Sequence, residues 1–223
     1  DAAVCRGSFH AVLRTDVPDA VFSAFSAALQ KAQADGSLLT ASLFRYENHL
    51  FFYAEGLNRP FTPQGLCPAL DAALLPWPPA LGEAAPRPWA AMQPYFYHDV
   101  PTTAADWQQG RCPQRRRGRI ALLPPDSWCS YMEHHLRIVT EGLVEGDRWH
   151  LICVQEGVLF SYLEEPRTNV NIKHQPGAHS PELDAWIAAD PESHFARFTP
   201  EQKAHPDSSH NFVFLPRIAG TED

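Results

Sequence analysis

No run of the ~18 to 20 apolar residues that a membrane helix requires occurs in the sequence, and no basic segment followed by an apolar one opens it. Membrane insertion is therefore not expected. Positive charge is scarce: 18 Lys and Arg stand against 26 Asp and Glu, a net charge of -8. Phosphate binding rests on clustered cations, so nucleic acid is not an expected partner. The exception is Arg111 to Arg119, where five arginines sit among Gly110, Cys112, Pro113, Gln114 and Gly118. That composition reads as a solvated linker. Paired cysteines are missing too, because the five (Cys5, Cys67, Cys112, Cys129, Cys153) are odd in number and form no C-x-x-C. Neither a zinc ribbon nor a disulfide framework is signalled, and Cys129 and Cys153 read as small buried hydrophobes. The 11 histidines are scattered. Neither His134-His135 nor His174 and His179 lie in a ligand motif, so no metal is expected.

What is present is an ordinary globular mixture, 44% hydrophobic and 20% charged, in 223 residues. One large or two small domains can fill that length. Reduced thiols are the expectation, and with them a cytoplasmic compartment; the start at Asp1 without Met suggests a trimmed or processed product and leaves a secreted origin as the alternative. The 21 prolines concentrate in 60–101 and 166–216 and punctuate the chain twice. Pro18-Asp19 and Pro125-Asp126, an offset of 107, each follow a short apolar strand and precede a helical pattern. The first copy reads as strand Gly7–Leu13, a helix over 18–34, strand Leu38–Arg45 and strand His49–Glu55. The second reads as strand Arg119–Leu123, a helix over 125–142, strand Arg148–Val154 and strand Gly157–Glu164. Glu47-Asn48 and Glu156-Gly157 fall where hairpin turns belong. Each copy then has a short helical segment (69–75 and 181–189) and an aromatic closing strand, Tyr95–Tyr97 or Asn211–Leu215.

The β-α-β-β-α-β order is that of a ferredoxin-like unit, with helices on one face of an antiparallel sheet. The expectation is an α+β chain with two such units, 1–100 and 119–223, joined by a linker over 101–118. Their bare sheet faces would pack together as an α+β barrel inside one monomeric chain, a homodimer being the alternative.

At 3.6 residues per turn, Trp128, Tyr131, Met132, His135, Val139 and Leu143 share a stripe of the second-copy helix. At the 107 offset the first copy offers Val21, Ala24, Phe25, Ala28 and Ala32 there. It therefore reads as inert, whereas Tyr131 and His135 lie one turn apart and can act on one ligand. The bland alternative makes His135 a core histidine bonded to a carbonyl and Tyr131 a packing aromatic. His150, on the neighbouring strand, alternates with Ile152.

The stretches RIALLPPDSWCSYMEHH, WHLICVQEGVLFSYLEE and the terminal NFVFLP, about half the chain, resemble the L-rhamnose mutarotase family. The resemblance rests on a Tyr followed four residues later by a His. It implies a dimeric α+β barrel, here as a tandem within one chain, and an isomerase that interconverts sugar anomers without metal or organic cofactor. It assigns Tyr131 and His135 to acid–base catalysis, and His150, Trp149 and Phe195 to sugar binding; Trp128, on the same helix stripe, is a further expected contact of the sugar. The family pattern has a Tyr where this chain has Trp149 or His150, and an adjacent Trp pair where it reads His194-Phe195-Ala196. Because the same fold serves several chemistries, the competing expectations are a non-catalytic small-molecule or carbohydrate binder, a cofactor-independent oxygenase and a haem protein.

Overall fold

The structure is a computed structural model and describes residues 1–142, 144–167, 173–174, 176–203 and 205–222. The chain is α+β, with two five-stranded antiparallel sheets and few helices. The first copy supplies β1 (Val4–Val12), α1 (Asp19–Ala34), β2 (Leu38–Tyr46), β3 (His49–Leu57), α2 (Pro68–Ala73) and β4 (Ala90–Ala91). After β5 (Gln93–Phe96) and α3 (Ala104–Gln108), the second copy follows. It consists of β6 (Arg115–Leu122), α4 (Trp128–Glu141), β7 (Val144–Glu145), β8 (Leu151–Gln155), β9 (Val158–Glu165), β10 (Lys173–His174), α5 (Pro181–Ala188) and β11 (Val213–Leu215). The chain closes with β12 (Arg217–Gly220).

Helix α1 forms because alanine-rich sequence has high helix propensity and its large apolar residues recur at helical spacing. It buries Phe22, Phe25 and Leu29. Helix α4 buries Tyr131, His135 and Ile138 in the same rhythm and ends at Gly142, whose φ of 67° stops the helix. The hairpin between β8 and β9 turns through Glu156 (φ 51°) and Gly157 (φ 77°). A Cβ on residue 157 would stand 2.8 Å from the Leu123 carbonyl oxygen, so the turn requires glycine.

The sheet orders are β12-β2-β3-β1-β4 and β11-β6-β9-β8-β5. Setting aside the edge strands β12 and β5, each sheet runs closing strand, first, third, second, as a ferredoxin-like unit does. Two compact units result: one of Asp1–Met92, Pro101–Cys112 and Pro216–Asp223, the other of Gln93–Val100 and Pro113–Leu215. Neither is contiguous in sequence, unlike a division at 100 and 118.

Several sequence-based expectations are corrected by this topology. Tyr95–Tyr97 is not the closing strand of the first copy, since β5 pairs with β8 and β4 closes the first sheet. The arginine-rich segment is not a solvated linker, because Arg115–Leu122 is a central strand of the second sheet and Arg117 is buried. Cys129 is exposed, whereas Cys153 is buried as expected. Trp149 and His150 lie in the turn before β8 rather than on a strand. Leu143 lies outside the described residues.

The opposite face of the first sheet carries a fully buried carboxylate, Glu55, gripped by both Arg111 guanidinium nitrogens at 2.8 and 3.0 Å. Glu55 also accepts the Tyr53 hydroxyl at 2.6 Å. Burial alone would raise the carboxyl pKa; the Arg111 charge and hydrogen bonds outweigh it and hold the group ionised.

The β12 edge ties the far end of the sequence to β2: Arg217 donates to Ser42 Oγ at 2.9 Å, and Ala41 N–H donates to Thr221 Oγ1 at 3.1 Å. Ending the chain at Leu215 should therefore speed amide hydrogen exchange in Leu38–Tyr46 and leave Leu151–Gln155 protected. Unchanged protection of Leu38–Tyr46 would refute the pairing.

Candidate functional site

Strand alternation and two helix stripes assemble the site in the second unit. Along β6, Arg117, Arg119 and Ala121 point to the helix side, as do Ile152 and Val154 along β8. His150 continues that alternation into the turn. Helix α4 brings Tyr131 and His135 over this face, and α5 brings Leu183 and Trp186. Sheet and helices line an open cavity of about 530 Å³, within the size range of small-molecule sites. Its wall is rich in rings, from Phe96, Tyr131, Trp186, Phe195 and Phe212. The polar groups on it are His98, His135, His150, Arg119, Arg167, Asp147 and Glu192.

His135 is held tightly. Its ring centroid lies 4.1 Å from that of Tyr131 and 4.8 Å from those of Phe96 and Trp186, edge-on to the latter two. Nδ1 is 2.8 Å from the Tyr131 carbonyl oxygen. A carbonyl only accepts, so Nδ1 carries the hydrogen and Nε2 is left as the acceptor. Burial is the main cause that pushes the His135 pKa down to about 4; the neighbouring His134, His194 and His98 add to it against the carbonyl bond. At neutral pH the ring is uncharged with one tautomer favoured.

Burial likewise raises the Tyr131 hydroxyl to about 12. It raises Tyr95 well above 10, with Tyr131 adding to the shift. The Tyr95 hydroxyl lies beside that of Tyr131 but meets no partner at normal hydrogen-bond geometry among the described residues. Arg167 donates from Nε to Asp147 Oδ2 at 3.1 Å. Arg119 lies with its guanidinium carbon 4.2 Å from the centroid of Phe212. Among the described residues its guanidinium has neither ion pair nor hydrogen bond, and Nε is buried. Desolvation, then the charge of Arg167, lowers its pKa to about 10, so it stays cationic. His98 sits against the backbone of Gly146, where an added Cβ would fall 1.7 Å from its Cδ2. Burial lowers the His98 pKa despite the nearby Asp99 and Asp147.

Of the residues expected from the sequence, Tyr131, His135, His150 and Phe195 meet at the cavity. Trp128 packs on the edge of the apolar cluster, and Trp149 is buried outside the cavity wall. The sequence reading missed Arg119, His98, Asp147, Arg167, Trp186 and Glu192. The alternation of Arg117, Arg119 and Ala121 was the available signal, hidden by reading the arginines as a linker. The alanine stripe of the first copy is corrected by one residue. By burial spacing, Phe25, Leu29 and Ala32 match Tyr131, His135 and Ile138, while Ala24 is exposed. The apolar positions Phe25 and Leu29 belong to the first unit's core with Phe52 and Trp89.

No family model matches the sequence, and no curated protein does. Two crystal structures described as "putative monooxygenase" are similar in fold. The one from Fusobacterium nucleatum has 8% identity over 99% of this chain and 94% of the other, with a TM-score of 0.43. That from Lactobacillus acidophilus has 6% identity over 98% and 96%, with a TM-score of 0.41. An "anthrone oxidase-like protein" has 6% identity over 97% and 95%, with a TM-score of 0.36. Likeness at this level assigns no activity.

The mutarotase resemblance is nevertheless corrected. No mutarotase model matches the chain, and the solved structures that do match carry oxygenase and oxidase names. The chemistry disagrees as well. Anomer exchange needs two groups that trade acid and base roles between the two directions, whereas burial holds His135 as a neutral acceptor, with a pKa of about 4, and Tyr131 as a protonated donor, at about 12, so the pair does not trade roles. The sugar substrate and the isomerase activity fall with it.

His135 makes stability depend on pH. Its pKa is depressed from 6.5 to about 4 on folding, so the unfolded chain binds the extra proton between those values and stability falls as pH drops through that window. The loss attributable to His135 between pH 7 and 4.5 should be about 2 to 3 kcal/mol. Urea unfolding of the parent and of His135→Phe at both pH values isolates it; equal losses in the two would disprove the linkage.

Proposed function

We propose that the second unit is a cofactor-independent oxygenase site for a flat, apolar aromatic compound with an acidic C–H or O–H. One observation carries the reading: a neutral imidazole with Nε2 left as acceptor stands in a ring-walled cavity of about 530 Å³. The rings on the wall suit both an aromatic body and O2, and fused rings pack edge-to-face against Phe96, Trp186 and Phe195. The oxygenase and oxidase names of the similar structures are in keeping with this reading and do not carry it.

In the proposed reaction His135 takes a proton from an activated methylene and leaves a carbanion delocalised into the rings. The carbanion is oxidised by O2, which is reduced as a carbon–oxygen bond forms. The peroxide anion takes the proton back from His135, and loss of water leaves a carbonyl. The atoms balance, since one methylene group and one O2 give one carbonyl group and one water. Tyr131 keeps its proton and serves as a hydrogen-bond donor against which the substrate is oriented.

With anthrone as the probe, the parent should consume one O2 per anthraquinone formed, faster than the spontaneous reaction. His135→Ala should slow this by roughly 10² to 10⁴, the usual share of a proton-transfer catalyst. Tyr131→Phe should slow it less and leave folding unchanged. Binding of anthrone without accelerated O2 uptake would make the unit a binding module instead. Full activity in His135→Ala would reject the assigned base.

A further inference from the structure

The cavity contains a cation that makes neither an ion pair nor a hydrogen bond among the described residues. Arg119 projects from β6, an inner strand of the second sheet, and of the two carboxylates on the same wall Glu192 acts on it through its charge alone, without an ion pair. Asp147 is held by Arg167, and Glu192 accepts a hydrogen bond from Asn211. Leaving a guanidinium desolvated and unpaired is costly, and the first unit shows the usual remedy in the bidentate Arg111–Glu55 pair. We infer that Arg119 is the binding residue for an anionic oxygen on the aromatic ligand, so that the ligand class is a phenol or enolisable aromatic ketone bound as its anion. This deepens, and rests on, the reading of the second unit as an oxygenase site for aromatic compounds.

Three features support the inference beyond the missing partner. Arg119 and Phe212 are stacked at 4.2 Å on the same wall, so a ring beside Phe212 brings its oxygen substituent towards the guanidinium. Rings from Phe96, Trp186, Phe195 and Phe212 make up much of the wall, and the carboxylates Asp147 and Glu192 stand on it as well, which fits a flat body carrying one charged edge rather than a polyanion. The third is chemical. A base as weak as His135 removes a proton only from a compound whose anion is stabilised where it forms, and Arg119 is the cation in that cavity free to do so among the described residues.

The probe is 2-naphthol, bound without O2 and titrated by the absorbance of its anion. The parent should lower the pKa of bound 2-naphthol by about one unit or more, a tenfold or greater preference for the anion. Arg119→Met should abolish the shift while still binding 2-methoxynaphthalene, which cannot ionise, and Arg119→Lys should restore part of it. Arg119→Met should also melt no lower than the parent, because the substitution removes an unpaired buried charge. An unshifted pKa in the parent, or a shift that survives Arg119→Met, overturns the role of Arg119. Failure of both naphthalenes to bind the parent overturns it too, together with the aromatic cavity. A shift that depends on Arg119 in a protein that oxidises no anthrone keeps the anion site and removes the oxygenase reading alone.

Discussion

The pairing of β5 with β8 is the contact on which the site depends. It lays Phe96 beneath His135 and brings His98 to Gly146, so that a segment following the first copy in sequence becomes part of the second unit's cavity. Without that strand, β8 would be an open edge and α4 would lack the rings that hold its imidazole. The exchange is matched at the other end of the chain, where β12 completes the first sheet. Each copy therefore closes its own sheet and then lends one strand to the other.

Burial of charge is handled differently in the two units. Glu55 is desolvated completely, and the Arg111 fork together with the Tyr53 hydroxyl satisfies its oxygens. That arrangement is structural, since it consumes the charges it contains. In the second unit the same desolvation acts on Arg119 and His135, and no described carboxylate forms an ion pair with either, although the charge of Glu192 reaches Arg119. The result is a cation and a neutral imidazole in one cavity, with their charge and lone pair available to a ligand. Groups perturbed in this way are common where chemistry is done.

The two helices show how one scaffold becomes either a core or a site. Phe25 and Leu29 extend the apolar cluster of the first unit, whereas Tyr131 and His135 at the matching positions carry polar groups into the second. A Tyr and a His one turn apart invite an acid–base reading. Burial changes what that pair can do, because it disfavours charge on both rings and drives their pKa values apart.

Much of the architecture was legible in the residues. Period-two strands, alanine-rich helical spacing and the turn at Glu156-Gly157 specify two β-α-β-β-α-β copies through local sterics and patterning, which act over a few residues. Tyr131 and His135 were also visible, since helical spacing alone places them together. Which strand completes which sheet was not visible, because edge pairing of Pro94 and Phe96 with Cys153 and Ile152 joins segments far apart in sequence. The same holds for Arg119. Its sequence neighbours mark a charged run, but only the packing of α4, α5 and Phe212 over β6 removes water from its guanidinium and turns it from a surface charge into a candidate ligand-binding group. Charge states inside the cavity belong to the tertiary structure for the same reason: desolvation sums over everything that surrounds a group, and those surroundings are assembled from stretches of chain that lie far apart in sequence.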